Sequence, residues 1–355
     1  MPGTAHAPVR TDDVILEALP DDVIASLQVR SAWVKRLPRP QTGLEFLVAD
    51  LQRWTPGQAV RVAFLGGNTA LHKEISDTVA PISGACNLKL DFGINPGTGA
   101  HRTWSTSDTT HKGEIRVSFD QGGFFSLVGT DSIDMNIGSP AGPVGGRANQ
   151  RSLNLGGFTQ QKPTNWRGVV RHEFMHALGF HHEHQNMRGP CESDFRWDDD
   201  AGYQPTTDAQ GRFVPDAAGK RPGIYTYLAG FPNFWPKEQI DFNLRTQESP
   251  DVVAGAFDAA SVMLYRFPAL FYKTGNSACA PTGDGIELSE NDIRGLKLLY
   301  PAVGPSMEAV VSRRRDLLHA VSGPAGGLES AGAGRGGSSF AAQAASMLRQ
   351  SLSHV

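Results

Sequence analysis

The sequence predicts an α+β fold: a twisted mixed β-sheet with a functional helix in an N-terminal subdomain, and an irregular C-terminal subdomain that ends in a helix. Short segments of alternating apolar and polar residues recur between residues 59 and 158, as in half-buried strands. Helical spacing of apolar residues appears between and after them. Residues 186–285 are rich in Pro, Gly and Asp and show few regular patterns. This order implies a mixed sheet with helices packed against it.

The individual elements follow from these patterns. The predicted strands are Ala59–Gly66, Leu88–Gly93, Glu114–Asp120, Phe124–Asp131 and Ser152–Phe158. The predicted helices are a short one at Asp21–Val29, one from Thr69 up to Pro81, and one over Asn165–Phe180. A last helix lies within Leu288–Pro301, where Ser289 caps the first turn, Asp292 bonds back to it, and Pro301 follows its end.

Composition divides the 355 residues into three parts. Residues 1–50 form an N-terminal extension punctuated by Pro and Asp, residues 51–301 form the main domain, and residues 302–355 form a tail rich in Gly, Ala and Ser. Within the main domain, Gln204–Pro222 is predicted to be a surface insertion. In the tail, amphipathic segments at 307–321 and 340–352 flank a linker, and the three arginines at 313–315 are predicted to form one solvated face.

Composition also excludes several classes of protein. Charged residues make up 19% of the chain and the net charge is -3, which gives no sign of a nucleic-acid or membrane surface. No apolar run reaches the roughly eighteen residues of a membrane span, and the first forty residues contain no apolar core of a secretory signal. The three cysteines, Cys86, Cys191 and Cys279, are too few for a disulfide framework. A Cys191–Cys279 bridge and three unpaired thiols both remain open.

The histidines are concentrated in one stretch. The segment VVRHEFMHALGFHHEHQ, from Val169 to Gln185, holds five of the eleven histidines. His172 and His176 are four residues apart, so they share one face of a helix and can bind a single zinc ion. Glu173 then lies beside the metal, close enough to act on a water there. Gly179 can end the helix through a left-handed residue, which lets His182 reach the same ion.

Three imidazoles leave one coordination position open, which is typical of a catalytic rather than a structural zinc site. We therefore predict one catalytic Zn²⁺ bound by His172, His176 and His182. The other histidines are predicted to pack or to face solvent rather than to bind the metal: His181, His184, His72, His101 and His111. The acidic run Asp198–Asp200 is predicted to be a solvated loop or helix start rather than a calcium site.

The segment HEFMHALGFHHE, His172–Glu183, matches the HExxHxxGxxH signature and is similar to the astacin family of the metzincin zinc metalloproteases. Glu183 directly after the third histidine carries the resemblance, as does SVMLY at Ser261–Tyr265, which looks like the methionine-containing turn of that family. The resemblance covers about residues 53–301. Leu264 stands where a histidine is usual and the cysteine pairs of secreted animal members are missing, so the chain is most similar to a microbial branch.

The resemblance implies a zinc-dependent endopeptidase with a metzincin-like fold, in which residues 51–301 are the catalytic domain and the cleft lies between 51–183 and 184–301. Glu173 would be the general base, and Tyr265 would donate a hydrogen bond to the oxyanion and could ligate the resting zinc. Met263 would form the floor beneath the histidines. Glu183 would be structural, since in the family this residue pairs with the amino group of the processed N-terminus.

A protein or peptide substrate is expected to lie extended along an edge strand, for which Ser152–Gly157 is the candidate. No nucleic-acid partner and no membrane span are predicted, and the oligomeric state is left open. The resemblance implies an extracellular location, although no secretory signal is visible. The extension 1–50 is either a solvated tail or an inhibitory pro-segment that blocks the zinc through one of four aspartates: Asp12, Asp13, Asp21 and Asp22.

Three other classes of function remain open. The chain could be a zinc-bearing but catalytically silent protein-binding module, although such a module would commonly have lost Glu173. It could be a metzincin of another branch, such as a matrixin-like protease, although Tyr265 after the methionine argues against that. It could be an interaction protein whose C-terminal amphipathic segments bind a partner, which is compatible with catalysis.

Overall fold

The computed structural model describes residues 19–34, 51–246, 255–302, 304–322 and 336–353. Two of the aspartates considered as zinc-blocking residues, Asp12 and Asp13, and most of the predicted linker in the tail lie outside the described residues. In chain order the helices are α1 (Asp21–Val34), α2 (Thr69–Ala85), α3 (Trp166–Ala177), α4 (Cys191–Asp194), α5 (Ile224–Ala229), α6 (Lys237–Leu244), α7 (Glu290–Leu299), α8 (Pro305–Ser322) and α9 (Gly336–Ser353).

A five-stranded mixed sheet confirms the predicted α+β class. Its strands are β1 (Ala59–Phe64), β2 (Lys89–Asp91), β3 (Ile115–Ser118), β4 (Phe124–Ser126) and β5 (Leu153–Leu155). The spatial order is β2-β1-β3-β5-β4. The first four in that order run parallel, and β4 runs antiparallel to β5. Each predicted strand segment contains one of these strands.

The prediction that Ser152–Gly157 forms an edge was wrong. β5 pairs with β3 through Val117 and Leu153 on one side, and with β4 through Ser126 and Leu153 on the other. All three residues of β5 are buried, as expected of an interior strand. The edge on this side of the sheet is β4. Apolar alternation shows that a segment is a strand, but it does not show which strands lie beside it.

Helices α2 and α3 pack together on the sheet and enclose the main core. Asn68 caps α2, since its side chain accepts a hydrogen bond from the Leu71 N–H. The helix continues past Pro81, where the sequence pattern predicted its end, to Ala85. Proline removes only one backbone hydrogen bond there, and the next turn places the fully buried side chain of Ile82 in the core.

The described part of residues 186–285 has few regular elements, as predicted. Three short helices, α4, α5 and α6, and a 3₁₀ turn at Ala269–Phe271 surround a separate aromatic and aliphatic cluster. A disulfide joins Cys191 to Cys279, whose Cα atoms are 4.9 Å apart, and Cys86 is a free thiol. Of the two alternatives that the sequence left open, the structure therefore has the Cys191–Cys279 bridge.

The helices at the two ends of the chain pack against each other. The ring of Trp33 on α1 stacks on Phe340 of α9, with 6.3 Å between centroids. These helices and α8 share a hydrophobic cluster with Phe125 and Leu127, in and just after β4. Among the described helices, none is both long enough and apolar enough to cross a bilayer.

The prediction of a solvated arginine face in the tail was wrong for one residue. Arg314 is 2% exposed, and its guanidinium donates to the Thr55 hydroxyl (2.8 Å) and to the carbonyl oxygens of Arg53 (3.1 Å) and Trp54 (2.9 Å). Arg315 is exposed. A run of three like charges on a helix therefore spans two environments, because successive residues point about 100° apart.

Candidate metal centre

Helix α3 carries His172, Glu173 and His176, and all three side chains are buried. The helix ends as predicted, since Gly179 adopts a left-handed φ of 98°. Two of the last carbonyl groups find partners outside the helix. The Trp54 indole N–H donates to Ala177 O at 2.8 Å, and the Tyr300 hydroxyl donates to Leu178 O at 2.6 Å.

The turn after α3 brings a third imidazole back to the first two. The Nε2 atom of His176 lies 3.1 Å from Nε2 of His172 and 3.0 Å from Nε2 of His182. Among the described residues, these three histidines form the only group of three or more His, Cys, Asp or Glu side chains whose ligand atoms lie within 4.8 Å of one another. The three residues predicted as metal ligands are thus the ones that the fold brings together.

Backbone carbonyl groups orient two of the rings. His172 Nδ1–H donates to Val262 O at 2.8 Å, and His176 Nδ1–H donates to Phe180 O at 2.6 Å. Because each Nδ1 donates, the Nε2 lone pair of each ring faces the point where the rings meet. His182 follows the turn, and the neighbouring Glu183 N–H bonds to Met263 O at 3.0 Å.

This donor set fits zinc. Two nitrogens bound at roughly 2.0–2.1 Å to a tetrahedral ion lie about 3.3 Å apart, close to the two distances between imidazoles. Three neutral imidazoles without a thiolate suit a catalytic site with an open position better than a closed structural one. The tautomers set by Val262 O and Phe180 O are those that zinc ligation requires.

The predicted methionine turn lies beside this cluster. The ring of Tyr265 is 5.1 Å from that of His172 and 4.6 Å from that of His182, measured between centroids. Met263 is 2% exposed and belongs to the main core, whereas Tyr265 packs on the cluster of the second half. The three histidines therefore lie where the two halves of residues 51–301 meet.

A carboxylate on α7 holds this turn. Asp292 accepts hydrogen bonds from the Ser261 hydroxyl (2.6 Å), the Val262 N–H (3.0 Å) and the Ser289 N–H (2.9 Å). The capping box of Ser289 and Asp292 is present, as predicted. The sequence did not reveal that the same carboxylate fixes Val262, whose carbonyl orients His172.

Known proteins share parts of this sequence and fold. No protein-family model matches the chain. Over 75 residues the chain is 39% identical to "Zinc metalloproteinase nas-2" of Caenorhabditis elegans, a match that spans 21% of this chain and 23% of that protein. The chain resembles the astacin-like zinc metalloproteases. The chain thus matches less than a quarter of that protein's length.

Two solved structures overlap with larger parts of the chain. "Structure of myroilysin" is 26% identical, with a TM-score of 0.48, and the match covers 71% of this chain and 97% of that one. High choriolytic enzyme 1, described as a hatching enzyme zinc-protease from Oryzias latipes (Medaka fish), is 14% identical, with a TM-score of 0.38, and the match covers 75% and 100% of the two chains.

Glu183, the acid that marks the astacin-like motif, lies next to a cavity of about 250 Å³. Its carboxylate accepts hydrogen bonds from the Asn186 side chain and from the Asp258 N–H, each at 2.9 Å. Burial raises the pKa of this carboxyl to about 7. The pairing of Glu183 with an N-terminal amino group, which the astacin-like resemblance implies, stays a prediction.

The remaining histidines have other contacts. His184 is 1% exposed, its Nε2–H donates to Asn243 O at 2.9 Å, and its ring packs against Tyr265. Burial lowers the pKa of His184 well below its ordinary value, so the ring is neutral. His72 and His101 lie in an aromatic stack with Phe64, and His111 Nε2–H donates to Gly146 O at 2.9 Å.

Three of the aspartates considered in the sequence have structural partners. Asp22, a candidate for a zinc-blocking aspartate, accepts a hydrogen bond from the Ser139 N–H at 2.9 Å and lies on α1. In the acidic run, Asp199 accepts from the Gly223 N–H at 2.7 Å, and Asp200 pairs with Arg221 at 3.1 Å. The described carboxylates at these positions thus organise loops.

Proposed function

We propose that the chain is a zinc-dependent endopeptidase that binds one catalytic zinc ion through His172, His176 and His182. The convergence of three Nε2 atoms on one point, next to the buried Glu173 and the ring of Tyr265, is the observation that supports it most. Residues 51–301 would form the catalytic domain, with the cleft between 51–183 and 184–301. The motif and the matched relative agree with this activity.

When bound, zinc would supply Lewis-acid polarisation of the scissile carbonyl and would lower the pKa of a coordinated water to about 7. Glu173 would accept a proton from the attacking water and pass it to the leaving amine. Tyr265 would donate a hydrogen bond to the oxyanion that forms on the substrate. The carbonyl groups of Val262 and Phe180 would keep His172 and His176 in the ligating tautomer.

A peptide substrate would pair with the outer edge of β4, the last strand of the sheet on this side. Leu127 N–H bonds to Ser152 O and Gly156 N–H bonds to Gly123 O, so positions 123, 125 and 127 face β5. Because neighbouring residues of an antiparallel strand direct their backbone groups to opposite sides, the N–H and C=O of Phe124 point to the other edge. An extended peptide can add to such an edge through its own backbone.

The enzyme would work outside the reducing cytoplasm. The Cys191–Cys279 disulfide closes a loop with a sequence separation of 88 residues, and such bonds persist in oxidising compartments. This agrees with the extracellular location that the astacin-like resemblance implies. Labelling of free thiols in protein recovered from its host would test it: one reactive thiol, Cys86, is expected after denaturation, and three would contradict the proposal.

The activity is tested by measuring zinc content and cleavage of casein or gelatin for the wild type and for Glu173→Ala. We expect one zinc per chain in both proteins and cleavage by the wild type alone, since Glu173 handles the proton but does not bind the metal. One zinc per chain with no cleavage by either protein would favour the silent binding module. Cleavage at an equal rate by both proteins would overturn the role of Glu173.

A further inference from the structure

A row of polar groups links α1 to the turn that carries the third histidine. His181 Nε2–H donates to Gln52 Oε1 at 3.3 Å, and Gln52 Nε2–H donates to Asp131 Oδ2 at 2.9 Å. The other oxygen of Asp131 pairs with the guanidinium of Arg30 on α1. His181 lies between Gly179, where the chain turns after α3, and His182.

Little solvent reaches the middle of this row, whereas His181 at its end is partly exposed. Gln52 and Asp131 are 3% and 2% exposed, and the Arg30 side chain is 12% exposed. Burial lowers the pKa of Arg30 only to about 10, so the guanidinium keeps its charge at neutral pH. A buried carboxylate that lost its partners would be strongly destabilising. Asp131 therefore keeps its hydrogen bonds from Gln52 and Arg30. The Gln52 amide must point its NH₂ group at Asp131 and its oxygen at His181, because the reverse orientation would place two acceptors side by side.

The backbone at Gln52 is also closely packed on two sides. Gly129 adopts a φ of +52°, and a Cβ built on it would lie 1.7 Å from Gln52 O. On the other side, a Cβ on Gly179 would lie 3.7 Å from the same oxygen. Two residues later, Trp54 bonds to the end of α3. The segment 51–54 is thus packed between the loop after β4 and the turn after α3.

We propose that Gln52 is a positioning residue for the third metal ligand. The regular geometry of α3 sets the spacing of His172 and His176, but His182 lies beyond the helix, on a turn. By holding His181, with Asp131 and Arg30 behind it, Gln52 fixes that turn and so the direction of the His182 ring. This inference rests on the proposed function only in that the three histidines bind zinc.

The test compares Gln52→Met with Gln150→Met in the full chain. Gln150 is an equally buried glutamine, 1% exposed, whose amide donates to Ser139 O (2.7 Å) and Gly142 O (2.9 Å), away from the metal centre. Zinc affinity is measured by competition with a chelator, and the absorption spectrum of the cobalt-substituted protein reports ligand geometry. We expect Gln52→Met to weaken zinc binding about tenfold, as loss of an outer partner does, and to change the cobalt spectrum. Gln150→Met should leave both unchanged.

Equal zinc affinity and equal cobalt spectra in the wild type and both variants would overturn the proposal and leave Gln52 as a core residue only. Exchanging the amide and the carboxylate between positions 52 and 131 provides a second test if Gln52→Met fails to fold. Gln52→Glu alone places two carboxylates side by side and should weaken zinc binding. Adding Asp131→Asn restores one donor and one acceptor between these positions, so affinity should recover. A folded double variant without recovery would also overturn the proposal.

These readouts separate this inference from the proposed function. Zinc affinity and the cobalt spectrum need no peptidase activity. Zinc binding that depends on Gln52, in a chain that cleaves neither casein nor gelatin, would support the positioning role while refuting the endopeptidase. Cleavage of casein or gelatin by a chain whose zinc affinity does not change when Gln52 is replaced would support the endopeptidase and refute the positioning role.

Discussion

Replacing Asp292 by Ala should affect both stability and the metal centre, because its carboxylate joins α7 to the methionine turn. The side chain is 5% exposed and accepts three hydrogen bonds, from Ser261, Val262 and Ser289. Two consequences follow from its removal. Helix α7 loses the reciprocal bond of its capping box, and Val262, whose carbonyl orients His172, loses the partner of its N–H.

The size of the effect can be worked from these contacts. Losing the capping interaction costs about 1 kcal/mol. The Val262 N–H, on a residue that is 4% exposed, is left buried without a partner at a cost of about 1–3 kcal/mol. The Ser261 hydroxyl can rotate to another acceptor and adds about 1 kcal/mol. We therefore expect Asp292→Ala to lower the free energy of unfolding by about 3–5 kcal/mol. Asp292→Asn, which keeps one acceptor oxygen, should lower it by about 1–2 kcal/mol.

Urea unfolding of the metal-free protein, followed by tryptophan fluorescence, measures the stability, and chelator competition measures zinc affinity. Glu290→Ala is the matched control, since Glu290 is an exposed acid in the same first turn of α7, and it should cost less than about 1 kcal/mol. Zinc affinity should fall about tenfold in Asp292→Ala. A stability loss no larger than that of Glu290→Ala, or unchanged zinc affinity, would refute the coupling between α7 and the metal centre.

Two further predictions concern pH and substrate binding. Burial lowers the pKa of His72 below its ordinary value of 6.5, so the folded state binds this proton less readily than the unfolded state, and the free energy of unfolding should fall as pH drops below about 6.5. His72→Gln should flatten that decline, whereas the same change at the exposed His319 should not; equal slopes would contradict the assignment. Phe124→Pro removes an N–H from the outer edge of β4 and should raise KM for a peptide substrate at unchanged zinc content. An unchanged KM would show that substrate does not pair with β4.

The parts of the site that could be predicted from the sequence are local in the chain. The positions of His172, His176 and Gly179 within one helix and its end follow from a period of 3.6 residues and from the freedom of glycine at positive φ. The capping box of α7 is local in the same way, because its two side chains are three residues apart. A pattern within about ten residues is enough to specify such features.

The parts that could not be predicted depend on contacts between distant segments. Alternation identified the segment of β5 as a strand but not its place between β3 and β4, which pairs residues far apart in sequence. Composition suggested that the arginines of α8 are solvated, yet Arg314 bonds to residues more than 250 positions earlier. Gln52 carries no motif at all. Its contact with His181 spans 129 residues and arises only when the sheet, the loop after β4 and α3 have packed.

Contacts between distant segments also give the two ends of the chain a structural role. By composition they are an extension and a tail, but α1 and α9 cover the apolar face that Phe125 and Leu127 present beside β4. The polar side of α1 is bound as well, since Ser26 and Asp22 accept hydrogen bonds from the loop between β4 and β5. Burial of Val23, Trp33 and Phe340 stabilises this arrangement by several kcal/mol, at about 1.5–3 kcal/mol for each fully buried large side chain. The described terminal helices therefore support the proposed substrate-binding edge from behind. A protein beginning at Leu51 would lose α1 and expose part of this apolar face, besides losing any pro-segment.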